Sequence, residues 1–159
     1  MTRFENATKD LVEKFIKQWL VEEEYEIQPH TDPNTSFNYK IIKSNIQLHV
    51  GQHNKSKDNI MVKGVIAFKD DEQTMLRYLK TKRELLYDLE IIFTLANIEF
   101  SVKPNVTTEE FTIEDIQLTK IIYYDALTKQ TFYDALLSIF NCLKLLISKF
   151  TLVGRTSMT

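Results

Sequence analysis

Histidine side chains at metal-ligand spacing are the first candidates for chemistry in this sequence. His49 and His53 are four residues apart, the spacing at which a helix would present both rings on one face to a metal ion. The residues around them alternate as in a strand, and four residues of extended chain span about 13 Å. No H-E-x-x-H motif is present. We therefore predict two exposed histidines on a solvated sheet face, and no metal site.

The single cysteine is the second candidate. Because Cys142 is the only cysteine, the chain has neither an intramolecular disulfide nor a four-cysteine zinc site. It falls in the middle of an apolar, helix-like run, whereas a nucleophilic cysteine needs a helix N-terminus or a neighbouring base to activate its thiol. We interpret Cys142 as a small core side chain.

Carboxylates and phosphate-binding motifs give no stronger signal. The acidic pairs fall in polar segments without an apolar pocket that would separate their pKa values, and we interpret them as solvated charge. The chain has no P-loop, no G-x-S-x-G motif and no basic run with interleaved aromatics. We therefore predict no catalytic residue and no cofactor. The charged residues interpreted as solvated are Glu22–Glu24, Lys80, Lys82, Arg83, Glu109–Glu110 and Glu114–Asp115.

The bulk composition bounds the class of protein. A chain of 159 residues is one domain on the usual size range, and a net charge of −2 gives no support to nucleic-acid binding. Residues 1–5 lack a signal-peptide apolar run. Charged and polar residues interrupt the most apolar stretch, 135–153, so a buried helix is favoured over a membrane span. We expect a cytoplasmic, single α+β domain at 1–153 with a flexible tail at 154–159.

Hydrophobic periodicity predicts the elements that would position any site. Helices are predicted at 7–23, 71–96 and 128–152, the first capped by Asn6 or Thr8. Hairpin-linked strands between helices favour an α+β fold, an antiparallel sheet flanked by helices in the order α-β-β-β-β-α-β-β-α. The strands are predicted at 25–28, 36–43, 45–51, 59–68, 99–103 and 112–124.

Some local features qualify this pattern. Pro104 is predicted to stop the fifth strand, and Gly64 indicates a bulge or close packing in the fourth. Lys120 would face the core if the sixth strand kept one phase, so a bulge near Thr119–Lys120 is predicted. Asp70 with Gln73 forms a capping-box pattern before the second helix.

Surplus apolar and aromatic surface is the feature that chemistry does not explain. Tyr123 and Tyr124 end the sixth strand, and tyrosines with an apolar body and a polar tip are favoured at interfaces. The last helix is apolar beyond one stripe, which indicates burial on more than one side. One interpretation is that these residues cap the core at the end of the sixth strand. The functional alternative is that they form an interface or the rim of a ligand site, which we call the lip. Its candidate residues are Tyr123, Tyr124, Asp125, Leu137 and Leu145.

Three segments resemble an uncharacterised archaeal protein family, one of the domains of unknown function. They are Asp32-Pro33-Asn34 leading into Phe37-Asn38-Tyr39, the run Lys120–Lys129, and the final helix with Phe132, Ala135-Leu136 and Phe140-Asn141. The resemblance covers nearly the whole chain and implies no catalytic residues. The element order also resembles that of type III secretion chaperones, small α+β homodimers that hold extended segments of partner proteins. The short strand near Tyr25 departs from that order.

These observations lead to one hypothesis and two alternatives. We predict a non-enzymatic protein-interaction or chaperone-like module that acts as a homodimer, binds an unidentified protein, and binds neither nucleic acid nor membrane. The first alternative is a small-ligand-binding protein or enzyme with an unusual pocket between sheet and helices. The second is a nucleic-acid binder that uses Lys80, Lys82 and Arg83.

Overall fold

The predicted α+β fold and element order are confirmed. A computed structural model describes residues 4–44, 46–67, 82–105 and 112–157. One antiparallel sheet has the strand order β1-β2-β3-β4-β6-β5. The described elements are α1 (Lys9–Glu22), β1 (Glu26–Pro29), β2 (Thr35–Lys43), β3 (Ile46–His53), β4 (Asn59–Ala67), α2 (Lys82–Leu95), β5 (Glu99–Asn105), β6 (Thr112–Tyr123), a 3-10 turn (Tyr124–Ala126) and α3 (Lys129–Ser157).

The chain divides into two compact units. Unit 1 comprises residues 1–64 and 119–140, and unit 2 comprises residues 65–118 and 141–159. The predicted boundaries of a single domain at 1–153 and a tail at 154–159 stay a prediction.

In unit 1, α1 packs on the core face of β1–β3. The Thr8 hydroxyl accepts from the Leu11 amide at 3.3 Å, which confirms Thr8 as the cap. Two aromatic rings pack against Trp19 on the buried face of α1. The ring centroid of Phe4 lies 5.9 Å from that of Trp19, and the ring centroid of Phe132 of α3 lies 5.7 Å from it. The Tyr133 hydroxyl donates to the Trp19 carbonyl at 2.7 Å. The two helices are therefore joined through one tryptophan.

Turn chemistry sets the register of the first strands. The Asn34 amide donates to Oδ1 of Asp32 at 2.9 Å, the Asx turn that the Asp-Pro-Asn sequence predicts. Ser44 has φ 52° and closes the predicted β2–β3 hairpin. Across the hairpin Tyr39 pairs with Val50 and Ile41 with Leu48, so their side chains share the core face.

Two helices end in the same motif, each with a residue other than glycine in the left-handed region. Glu24 has φ 57°, and the Tyr25 amide donates to the Leu20 carbonyl at 3.1 Å. Asn97 has φ 56°, and the Ile98 amide donates to the Phe93 carbonyl at 2.9 Å. Both are Schellman geometries, in which the residue after the left-handed one reaches back to the last turn. Asn97 therefore ends α2 as predicted.

In unit 2, α2 packs against β5, and the Phe93 and Phe100 rings lie 5.3 Å apart. The prediction that Pro104 stops the fifth strand is wrong, because β5 runs to Asn105. The physical reason is position: β5 is the last strand in the sheet order, and an edge strand tolerates a residue that cannot donate to a neighbour.

The predicted bulge near Thr119–Lys120 is not needed. Ile116, Leu118 and Ile122 are buried in one unbroken alternation, and Lys120 stays in phase as a half-buried side chain. A long side chain can lie along apolar surface while its ammonium reaches water, which explains why Lys120 is accommodated.

The last helix is longer than predicted, and its buried side near residue 146 differs from the predicted one. It ends at Ser157 rather than near Leu152. The helical periodicity of Phe132, Leu136 and Leu143 predicts Ile147 on the core face and Leu146 beside it, but Leu146 is buried and Ile147 is exposed. Residues 129–148 are apolar and long enough to cross a membrane by length and composition alone, a test that buried core helices also pass. Phe132, Leu136 and Leu143 are buried in the protein, as the predicted core helix requires.

Several predictions lie outside the described residues. These are the Asp70–Gln73 capping box, the start of the second helix at 71–81 and the acidic pair Glu109–Glu110. The expectation of a bulge or close packing at Gly64 stays a prediction.

Candidate interaction surfaces

The histidines gather on one face of the sheet in unit 1. His49 and His53 are half-buried on β3, so the prediction that both are exposed is corrected: neighbouring strands shield them. His30, which the sequence did not single out, places its ring 5.2 Å from that of His49. Burial lowers the pKa of His49, and the nearby positive charges of His30, Lys63 and Lys40 lower it further. The missed signal was strand pairing, which sequence spacing does not reveal.

The geometry offers little to a metal ion in the part of the chain described. No group of three histidine, cysteine or carboxylate side chains is arranged to hold one among those residues. His53 Nδ1 accepts from the Lys55 amide at 3.2 Å, which commits that nitrogen to the turn after β3. Cys142 is half-buried on α3, so it is less enclosed than the predicted core side chain.

The acidic residues named in the sequence analysis lie in different places where the structure describes them. Asp115 lies on β6 in unit 2, and its Oδ1 is buried without a hydrogen-bond partner among the described residues. Glu22 is bound rather than simply solvated: it forms an ion pair with Lys129 at 2.5 Å, and that contact lowers the pKa of Glu22. This pair joins the end of α1 to the start of α3 and has a structural role.

The five candidate lip residues lie in different environments. Tyr124 is buried, its hydroxyl donates to Gln52 Oε1 at 2.6 Å, and burial raises its pKa. Tyr123 and Asp125 are exposed in unit 1. Leu137 is exposed on α3, also in unit 1, whereas Leu145 is half-buried on the part of α3 that belongs to unit 2. Their role as an interface stays a prediction.

An apolar helix face that the sequence prediction missed lies on α2. Leu89 and Phe93 are buried, as predicted. At 100° per residue the opposite side of the helix carries Tyr87, Ile91 and Leu95, which are 67%, 58% and 83% exposed. We call these three residues the α2 outer face. The i, i+4, i+8 spacing was visible in the sequence, but only one apolar stripe was assigned to this helix.

Ile92 borders the α2 outer face. The sequence predicts it within the buried stripe, but it is 41% exposed. At 100° per residue it lies between the buried side and the α2 outer face. The apolar surface of α2 is therefore wider than the three outer residues alone.

A shallow cleft lies beside the end of α2. Its volume is about 340 Å³, and it is lined by Glu90, Thr94, Asn97, Ile98, Glu99 and Phe100. Two of the lining side chains are carboxylates, and no histidine, cysteine or lysine is among them. The cleft is open rather than enclosed, so it lacks the walls that bury most of a small ligand.

These features define an α+β protein with an exposed apolar face on α2 and adjoining histidines on the sheet of unit 1. The chain belongs to the family described as "Uncharacterized conserved protein (DUF2299)", whose profile matches residues 12–150. The predicted resemblance to a family of unknown function is thereby confirmed. No match was found among the curated proteins.

Two solved structures are similar to this chain in fold. One is an uncharacterised protein from Methanothermobacter thermautotrophicus, with a TM-score of 0.76 and 17% identity, covering 87% of this chain and 96% of that one. The other is YbjN, a putative transcription regulator from E. coli, with a TM-score of 0.53 and 8% identity, covering 84% and 87%. The first supplies the archaeal likeness. Neither is described as a type III secretion chaperone, so that resemblance is unconfirmed, and at these identities both structures report fold alone.

Proposed function

We propose that this protein is a non-enzymatic interaction module that pairs with a second copy of itself through the α2 outer face. The observation that carries the proposal is the exposure of Tyr87, Ile91 and Leu95 opposite the buried stripe of the same helix. A helix that faces water on one side normally carries polar residues there. Apolar residues on both sides indicate that both sides are covered in the working protein.

The pattern suits a second copy of the same helix. In an antiparallel pair with a twofold axis at Ile91, Tyr87 of one copy faces Leu95 of the other, and Ile91 faces itself. The acidic residues do not meet their own copies: Asp88 faces Thr94, and Glu90 faces Ile92. The stripe is therefore self-complementary in apolar contact, and no acidic residue on it faces its own copy.

The chaperone-like activity is the finer part of the proposal. The element order that suggested type III secretion chaperones is the order observed, and those proteins are homodimers that hold segments of other proteins. The sheet of unit 1 shares no residue with the α2 outer face and is the surface that would bind such a segment. A small-ligand site or enzyme receives less support, because the cleft beside α2 is open and its titratable side chains are two carboxylates.

Light scattering after size exclusion tests the proposal. We expect the wild-type protein to elute as a dimer and Ile91→Asp to elute as a monomer with the same circular dichroism. Leu137→Asp is the matched control, because Leu137 is 53% exposed on another helix. A monomeric wild type at every concentration tested, or dissociation by Leu137→Asp and not by Ile91→Asp, would rule out pairing through α2.

A further inference from the structure

Two lysines flank a histidine in a row across the sheet of unit 1, on the face opposite α1. The lysines carry the positive charge of the row, because the pKa of the histidine is lowered. Lys40 of β2 pairs with His49 of β3, and His49 pairs with Lys63 of β4. Side chains of directly paired residues point to the same face, so the three lie side by side. We call Lys40, His49 and Lys63 the cation row. Because neighbouring strands are about 4.8 Å apart, the row spans roughly 10 Å.

The positive charge of the row is not balanced within the described structure. Neither Lys40 nor Lys63 forms an ion pair with a carboxylate among the described residues. His30 adds a fourth basic group, because its ring lies 5.2 Å from that of His49. Glu26 of β1 shares this face, but it lies toward the edge and accepts a hydrogen bond from Gln28 at 3.2 Å. A positive strip is therefore concentrated on a chain whose net charge is −2.

Aliphatic side chains border the row on both sides. Ile42 follows Lys40 two residues along β2, and Met61 precedes Lys63 two residues along β4, so each shares the face of its lysine. Both are half-buried. Ile121 of β6 is exposed on the side of its strand opposite the buried Ile122. The face therefore presents cations between apolar patches.

Gly51 lies next to the cation row on β3 and is buried by close contact with β2. It pairs with Asn38 and Met61 and has no side chain above the sheet. A β-carbon at this position would lie 2.6 Å from the Phe37 carbonyl oxygen, so β2 and β3 fit together only with glycine there.

We propose that the outer sheet face, made of the cation row with Ile42, Met61 and Ile121, binds an acidic segment of a partner protein in which carboxylates alternate with aliphatic residues. Charge complementarity selects the acidic component, since the two lysines of the row have no carboxylate partner among the described residues. The flanking aliphatic residues select the apolar component. Nucleic acid fits less well, because successive bases stack on several aromatic side chains, and among the described residues of β6 a single aromatic, Tyr123, is exposed.

This site shares no residue with the α2 outer face, because all its residues belong to unit 1 and α2 belongs to unit 2. The inference extends the interaction function but does not depend on the dimer. The monomeric Ile91→Asp protein is therefore expected to bind the same segment. Loss of dimerisation and loss of segment binding can be told apart in one set of proteins.

Fluorescence anisotropy with defined probes tests the proposal. The probe is a short fluorescein-labelled synthetic peptide that alternates glutamate and aspartate with leucine and valine. The same peptide with lysine in place of the acidic residues, and a labelled oligothymidine, are the comparison probes. We expect the wild-type protein to bind the acidic peptide more tightly than either comparison, and the binding to weaken with added salt.

Charge-removing variants locate the site. Lys40→Gln and Lys63→Gln should each weaken acidic-peptide binding about threefold, and the double variant about tenfold, the range of partly exposed ion pairs. Lys17→Gln, an exposed lysine of α1, is the matched control and should bind as wild type does. Equal binding by all these proteins, equal binding of the lysine peptide, or preference for oligothymidine would each overturn the proposal. The probe comparisons need no variant, so they remain decisive if a substitution disturbs folding.

Discussion

The hydroxyl of Tyr124 donates to Oε1 of Gln52 at 2.6 Å across 72 residues of sequence. Gln52 is fully buried, and its Nε2 donates to the Ser56 carbonyl at 3.1 Å. The Tyr124 amide also donates to the Asp58 carbonyl at 2.7 Å. The turn after β3 is therefore attached to the end of β6 by a buried polar network in which each of these groups has a partner.

Removing the Tyr124 hydroxyl should destabilise unit 1. Tyr124→Phe leaves Oε1 of Gln52 buried without its donor, which costs about 1–3 kcal/mol. Urea unfolding monitored by tryptophan fluorescence measures the loss, since Trp19 lies in the same unit. Tyr123→Phe is the control: its side chain is exposed, and we expect no change in the free energy of unfolding. Equal effects of the two substitutions would show that the buried hydrogen bond adds nothing.

The sequence predicted the elements better than the contacts between them. Periodicity located α1, the hairpin at Ser44 and the end of α2 at Asn97, because each depends on residues close together in the chain. It did not find the Tyr124–Gln52 bond or the His30–His49 contact, which depend on strand pairing across the sheet. Local patterns carry propensity and amphipathicity, whereas register is set by the whole sheet.

The errors have physical causes of the same kind. The sequence predicts a strand end at Pro104 because a missing amide hydrogen is costly inside a sheet. Nothing in the local sequence shows that β5 is an edge strand, where that cost is absent. Leu146 and Ile147 are both aliphatic, so the apolar pattern alone cannot decide which one is buried. The α2 outer face was missed because Leu89 and Phe93 already accounted for one buried side.

Replacing Gly51 should strain the β2–β3 pair. In Gly51→Ala the new methyl group would meet the Phe37 carbonyl oxygen at 2.6 Å, a backbone atom that can move only with its strand. We expect a loss of about 1–3 kcal/mol in the free energy of unfolding, the usual range for overpacking. Differential scanning calorimetry gives the measurement, with Ser36→Ala on the exposed part of β2 as a comparison. A Gly51→Ala protein as stable as wild type would mean that β2 relaxes freely.

Glycine at the two left-handed helix ends should stabilise the protein by unequal amounts. Glu24 at φ 57° bears the full steric cost of this region, whereas Asn97 at φ 56° belongs to a residue type that tolerates it. We expect Glu24→Gly to raise the free energy of unfolding by up to about 1 kcal/mol and Asn97→Gly to change it less. Thermal melts of the two variants beside wild type make the comparison. The opposite order of effects would count against backbone strain at Glu24.

Alkaline pH should weaken unit 1 through Tyr39. Its hydroxyl donates to Glu13 Oε1 at 2.7 Å, and burial together with this carboxylate raises its pKa to about 12. Because the folded pKa lies above the unfolded value of about 10, the unfolded state loses its proton first. The contribution of this group to stability is therefore complete below about pH 10 and declines as the pH rises towards 12.

Tyrosinate absorbance during alkaline titration tests this assignment. One late-titrating tyrosine should move to lower pH in Glu13→Gln, because the carboxylate that disfavours the phenolate is gone. Glu5→Gln, at an exposed position ahead of α1, serves as the charge-matched control and should leave the titration unchanged. If the late phase persists unaltered in Glu13→Gln, burial alone raises the pKa of Tyr39.

Cross-linking decides the direction in which two α2 helices pair. In an antiparallel pair centred on Ile91, Tyr87 of one copy lies beside Leu95 of the other at an interhelical separation of about 8–10 Å. Single-cysteine proteins carrying Tyr87→Cys or Leu95→Cys, each with Cys142→Ser, can be mixed and treated with a short bismaleimide. The mixture should give more cross-linked dimer than either protein alone, because only the mixed pair brings the two thiols together. Efficient cross-linking of Leu95→Cys with itself would instead indicate parallel helices, and cross-linking no greater than that of Leu137→Cys would contradict an interface on this helix.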